Sequence, residues 1–266
     1  MPINPQHVPD LTALLSAERL GNLTKLTGSA EVAIELHQET LKLGASLMHS
    51  TATIEIALRN TVAENLSHYF GVANWLQHPP ATFAWKEPEH RNIVKAVDSA
   101  QRAEYSKLSQ ADKAALDAHA FPNGRPANIQ HLQRAKARRQ HLVVTEGKVI
   151  AELTLHFWKK LYGPEYDQSL WRTTLKKTFP DKTLSRGVVA SQLEHIYKSR
   201  NRLAHHEPVL HERFADTLKA IEFISQRLGA AKPDPQTPLA TLLKDEIDSL
   251  RIKEAELRAR LDAYRI

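Results

Sequence analysis

The sequence predicts an all-α fold, and three observations predict it. Leu, Ala, Glu, Lys, Arg and Gln dominate the 266-residue chain, a mix that favours helices over sheets. Apolar residues recur at helical spacing through most of its length. Only nine glycines are present, and prolines and glycines punctuate the periodic segments. The length suits one large domain or two small ones.

In chain order, residues 10–20 and 30–49 carry apolar residues at helical spacing. Residues 51–69 place Ile54, Ala57, Leu58, Val62 and Leu66 on one face, with Gly71 as the stop. Residues 77–90 contain three prolines and read as a loop. A helix is expected over 91–118, a loop AFPNGRPAN after it, and a basic helix over 128–144. Residues 147–162 form an apolar-rich helix that Gly163-Pro164 breaks, and 168–178 a short one stopped by Pro180. A helix then runs from about Arg186 to His206. Glu207 precedes Pro208 and is steered out of the α region, so the helix ends at the two histidines. Residues 210–228 form the next helix. The segment PDPQTP reads as a linker, which gives a helical domain over 1–230, a linker over 231–240 and a C-terminal helix over 241–266. In that last helix Leu243, Leu250 and Leu257 repeat every seven residues, with Ile247 and Leu261 on the other seam position. About three heptads fit equally a coiled coil or a helix docked on its own domain.

Charge is uneven. The net charge is +6, and residues 125–142 alone hold Arg125, Arg134, Lys136, Arg138 and Arg139 with no acid. Residues 172–202 hold eight Lys/Arg against Asp181 and Glu194, whereas the tail from Lys232 is neutral. The basic half points to an anionic partner, and 125–142 to an RNA backbone or a solvated face. No cysteine is present, which excludes disulfides, zinc-thiolate sites and cysteine nucleophiles and fits a cytoplasmic protein. The N-terminus does not read as a signal peptide, and no apolar run is long enough to span a membrane, so no membrane partner is expected.

The densest chemistry lies in SRNRLAHHEP, Ser199 to Pro208. On a helix, Asn201 and His205 are i,i+4 neighbours, as are Arg202 and His206. Arg200 lies about 140° around from His205, within swing of a long side chain. Histidine moves protons near neutral pH, and a guanidinium forks onto phosphate, which together suit phosphodiester cleavage. Capping and a solvated face are the plain alternatives. HHEPVLH has three residues between Glu207 and His211 where the zinc-protease helix motif has two, and Pro208 breaks the helix. No metal and no cofactor are therefore expected. Trp158 and Trp171 read as core, and Tyr197, one turn before the motif, as a candidate base contact.

Arg200-Asn201-x-x-x-His205 resembles the Arg-polar-x(3–5)-His signature of the HEPN superfamily of α-helical ribonucleases, and RNRLAHHEP its Abi-like, abortive-infection branch. Glu55 and Arg59 followed by Tyr69, Gly71 and Trp75-Leu76, then FWKKLYG, then Trp171 to Phe179-Pro180, are similar to that family's layout in order, over roughly residues 30–228. The resemblance implies a HEPN-like helical bundle and a metal-independent endoribonuclease, in which the RNA's own 2′-hydroxyl attacks to leave a 2′,3′-cyclic phosphate. It implies His205 as general acid or base, Arg200 on the scissile phosphate, and Asn201 orienting His205 or touching the phosphate. His206 is a second proton carrier or a structural neighbour. RNA contacts are expected from Arg202, Lys198, Tyr197, Arg138 and Arg139. The family setting implies phage defence or a toxin restrained by an antitoxin protein or RNA. A non-catalytic module that binds RNA or protein is the alternative. Arg59-Asn60 starts a similar pair, but His68 comes too late to complete the signature, so a single motif points to a homodimer that brings two together.

Overall fold

The computed structural model describes residues 3–265, and among them it contains eleven α-helices and no strand. They are α1 (Val8–Leu15), α2 (Ala17–Thr27), α3 (Ala30–Phe70), α4 (Glu87–Lys107), α5 (Gln110–Ala120), α6 (His131–Arg139), α7 (Glu146–Glu152), α8 (Leu155–Lys160), α9 (Arg186–Ala204), α10 (His211–Ser225) and α11 (Pro238–Asp262). Short 3₁₀ and π turns fill Pro164–Thr178 between α8 and α9. No described helix is long and apolar enough to cross a membrane. The all-α expectation holds, but several helix boundaries differ.

The two segments expected at 30–49 and 51–69 are one 41-residue helix. Ser50, Thr51 and Thr53 at their junction do not break it, because their hydroxyls donate back to the carbonyls of Ser46, Met48 and His49. Elsewhere one expected helix is two. Ser16, at φ 73°, separates α1 from α2 and accepts a hydrogen bond from Arg19 N–H. Ser109 caps α5 by accepting from Asp112 N–H at 3.1 Å. The helix expected over 147–162 splits at Leu153–Thr154, where both residues are extended.

The chain forms two compact units. The first comprises the chain up to Leu58 and from Phe179 onward; the second is Arg59–Thr178.

In the first unit, α9 buries Val189, Leu193, Ile196, Ser199 and Leu203, spaced three and four apart on one face. Ser199 Oγ and Thr217 Oγ1 meet at 2.6 Å, a buried hydrogen bond that ties α9 to α10. Gly44 lets α3 approach α9 closely: a Cβ there would lie 3.2 Å from Leu203 Cδ2. α11 buries Ala240, Leu243, Ile247, Leu250, Leu257 and Leu261. The heptad seam is therefore buried within the chain itself. Polar ties hold the helix along its length: Arg251 to Glu222 of α10, Arg260 to Glu35 and Glu39 of α3, and Lys253 Nζ donating to Ser46 Oγ at 2.9 Å. Each of those leucines contributes roughly 1.5–3 kcal/mol by leaving water.

The second unit centres on aromatic rings. Phe83 lies 4.9 Å from both Phe70 and Trp85, centroid to centroid, and Trp85 lies 5.8 Å from Phe157. Trp158 and Trp171 are buried, as expected of core residues. Two polar groups of this cluster are partnered: Trp85 Nε1 donates to Leu76 O at 2.9 Å, and Tyr166 OH donates to Glu89 at 2.9 Å. Burial pushes the Tyr162 and Tyr166 hydroxyls above the usual phenol range.

Candidate active site at the end of α9

The sequence SRNRLAHHEP folds as the last turn and the exit of α9. The helix stops at Ala204. His206 N–H donates to Leu203 O at 3.0 Å and Glu207 N–H to Arg202 O at 2.9 Å. This is the nested pair of bonds of a Schellman motif, with His205 as C-cap and His206 at the position after it. That position is left-handed, and His206 has φ 56°. Glycine is the usual occupant because a Cβ there meets the backbone. His211, the first residue of α10, is also left-handed at φ 54°. The connection from α9 to α10 is thus bracketed by two non-glycine residues in a costly conformation. Such strain concentrates at functional positions. His205, at φ −98° and ψ 13°, lies in the sparsely populated bridge region.

The side chains differ in exposure and in their partners. His205, His206 and Glu207 are exposed. Arg200 is half-buried, and its Nε lies 3.6 Å from Glu55 Oε2 on α3. Arg202 pairs with Glu207 at 3.0 Å, and its Nε donates to Pro208 O at 3.4 Å. Arg202 thus closes the turn that it precedes. Asn201 is half-buried, and its carbonyl accepts from His205 N–H at 3.3 Å. Lys198 is exposed, 3.7 Å from Glu194 one turn back, and Tyr197 is half-buried. Beside the turn lies a cavity of about 350 Å³, lined by Leu41, Ala45 and Met48 of α3 and by Leu203, His206 and Pro208. The exposed His206 therefore borders space that a substrate group can enter.

Arg138 and Arg139, expected to contact RNA, sit in the second unit with their guanidinium groups turned inward. Arg138 donates to both oxygens of Asp117 at 2.7 Å and its side chain is 10% exposed; Arg139 reaches Asp98 at 2.8 Å and is 13% exposed. The hydrogen bonds from Arg134 and Arg138 hold the Asp117 carboxyl well below the usual carboxylate range. Both guanidinium groups are engaged by carboxylates, Asp98 from α4 and Asp117 from α5. Charge density along 125–142 gave no sign of this, since the acids lie far away in sequence.

Sequence reasoning missed Glu55 as the partner of Arg200. A helical pattern shows which residues share a face, not which helix will lie opposite. Among the described residues no group of three His, Asp or Glu side chains is arranged to hold a metal ion. Compared with protein-family models, with characterised proteins and with solved structures, the chain finds no match in any of the three.

Proposed function

We propose that the exit of α9 is the active site of a metal-independent endoribonuclease of the HEPN type. The observation that supports it most is the pair of exposed histidines at a strained Schellman turn, on the same helix end as a half-buried arginine. In this reading the 2′-hydroxyl of the RNA attacks the adjacent phosphorus and the 5′-oxygen leaves. The products are a 2′,3′-cyclic phosphate and a 5′-hydroxyl end. His205 moves the proton at one of those oxygens. Arg200, oriented by Glu55, binds the phosphate and stabilises its charge in the transition state. Asn201 orients His205 or touches the phosphate. Arg202, Lys198 and Tyr197 flank the strand, with Arg202 acting first on the turn itself. Two copies of the chain supply the second proton carrier across a two-fold axis. The biological setting is phage defence or a toxin restrained by an antitoxin protein or RNA.

The second reading is a HEPN-like module that binds RNA or a protein without cutting. It is favoured by the ion pairs of Arg200 with Glu55 and Arg202 with Glu207, which give both guanidinium groups a structural occupation. Purified protein incubated with total cellular RNA in excess EDTA separates the two. The catalytic reading expects discrete cleavage with cyclic-phosphate ends, and loss on the order of a hundredfold or more in both His205→Ala and Arg200→Ala. Cleavage retained by both variants refutes it. Binding of RNA in a gel shift without cleavage supports the second reading.

A further inference from the structure

The second unit holds a hollow of about 660 Å³ between residues 76–78, α4 and α6. Its floor is apolar: Leu76 and Ile93 are buried beneath it, and Val94 is 55% exposed. Its rim carries Lys95, Arg102, Lys136, Arg139, His78 and His90, against one carboxylate among the lining residues, Asp98. Asp98 is engaged by Arg139 at 2.8 Å and by Arg102 at 2.9 Å. Lys95 and Lys136, from different helices, make no ion pair among the described residues. The edge at Leu76 is fixed in advance: its N–H donates to Glu146 Oε1 at 2.9 Å and its carbonyl accepts from Trp85 at 2.9 Å.

Lysines on a convex helix face point apart into water. Here two unpaired ammonium groups from separate helices border one concavity over an apolar floor. An anion held in the hollow is attracted by both ammonium groups. A concave apolar site with a few convergent polar groups, at a volume within roughly 300–1,000 Å³, suits a small ligand. The complementary ligand has a flat apolar body for the floor and a phosphate for the lysines. We propose that this hollow binds a nucleotide, its base against Val94 and Ile93 and its phosphate between Lys95 and Lys136. The nucleotide is either free or part of a single strand. The proposal does not rest on the catalytic reading, because it concerns binding in the other unit.

The test is calorimetric titration of the full chain with the four nucleoside 5′-monophosphates, adenosine, inorganic phosphate, and a short mixed single-stranded oligonucleotide with 2′-deoxy sugars, which lacks the hydroxyl that the proposed cleavage uses. At least one monophosphate or the oligonucleotide is expected to bind, and adenosine and phosphate on the order of tenfold more weakly. Lys95→Glu and Lys136→Glu are each expected to weaken binding by about tenfold, and Val94→Asp by a similar factor. Lys25→Glu on α2, with the same change in net charge, is expected to leave it unchanged. Circular dichroism checks that each exposed substitution keeps the fold. Binding of a monophosphate assigns a free nucleotide, and binding of the oligonucleotide alone assigns a strand. The proposal is overturned if neither binds the wild type, or if the hollow variants bind as tightly as Lys25→Glu.

Discussion

Replacing His206 with glycine should make the protein more stable while removing an imidazole from the centre of the candidate site. The side chain at 206 is exposed, so the substitution empties no core. The two Schellman hydrogen bonds are made by main-chain atoms and survive it. What changes is the backbone at φ 56°. A non-glycine residue there costs roughly 1–2 kcal/mol, with histidine at the lower end because it enters the left-handed region more readily than most. Glycine returns about 0.5–1 kcal/mol of this through its greater freedom in the unfolded chain. The net is on the order of 0.5 kcal/mol in favour of glycine, a rise in Tm of about 1–2 °C for a chain this long. His206→Ala is the control, since it removes the same imidazole but keeps the Cβ, and should gain nothing. Far-ultraviolet circular dichroism is the suitable probe, because helices run through both units whereas all four tryptophans lie in the second. A glycine variant no more stable than the alanine variant refutes the strain argument. If glycine stabilises and RNA cleavage falls, histidine holds this position for its chemistry. If glycine stabilises and cleavage is unchanged, His206 is a bystander and His205 acts without it.

Three other outcomes are expected. Leu250 is fully buried on α11, so Leu250→Ala should cost about 3 kcal/mol at a midpoint independent of protein concentration; unchanged stability with loss of an oligomer would instead mean that the seam binds another chain. Glu146 is half-buried, one carboxylate oxygen has no partner, and burial pushes its pKa up against the hydrogen bond from Leu76 and the charge of His78. A carboxyl raised in the folded state contributes stability below its unfolded pKa and loses it as pH rises through the folded value, so Glu146→Gln should gain stability over wild type at neutral pH and not at acidic pH, followed by tryptophan fluorescence. Glu55→Gln should loosen Arg200, lowering cleavage by about tenfold where Arg200→Ala abolishes it, and equal losses in the two variants would mean that Glu55 does more than position the guanidinium.

Periodicity made the helical fold legible, because a stripe spaced three and four apart needs no knowledge of its partner. Ile54, Leu58, Val62 and Leu66 of α3 were placed on one face before any contact was known, and all four are buried. Pro208 likewise located the end of α9 within two residues, since it restricts the residue before it. Joins and breaks were less visible. Ser50 and Thr51 look like a stop but bond back into α3, and Ser109 looks ordinary but caps α5. Such outcomes turn on a single side-chain rotamer, which composition does not encode.

The sequence by itself determined the helices, the alternation of apolar and polar faces, and the gathering of Arg200, Asn201, His205 and His206 at one helix end, because all of these follow from spacing along one chain. Only the tertiary structure decided what lies across from them. It set Glu55 against Arg200, turned Arg138 onto Asp117 and Arg139 onto Asp98, folded the heptad seam of α11 onto its own unit, and left Lys95 and Lys136 unpaired around one hollow. Ion pairs and burial are fixed by which helices pack together, and that choice is made by the whole core rather than by any local stretch.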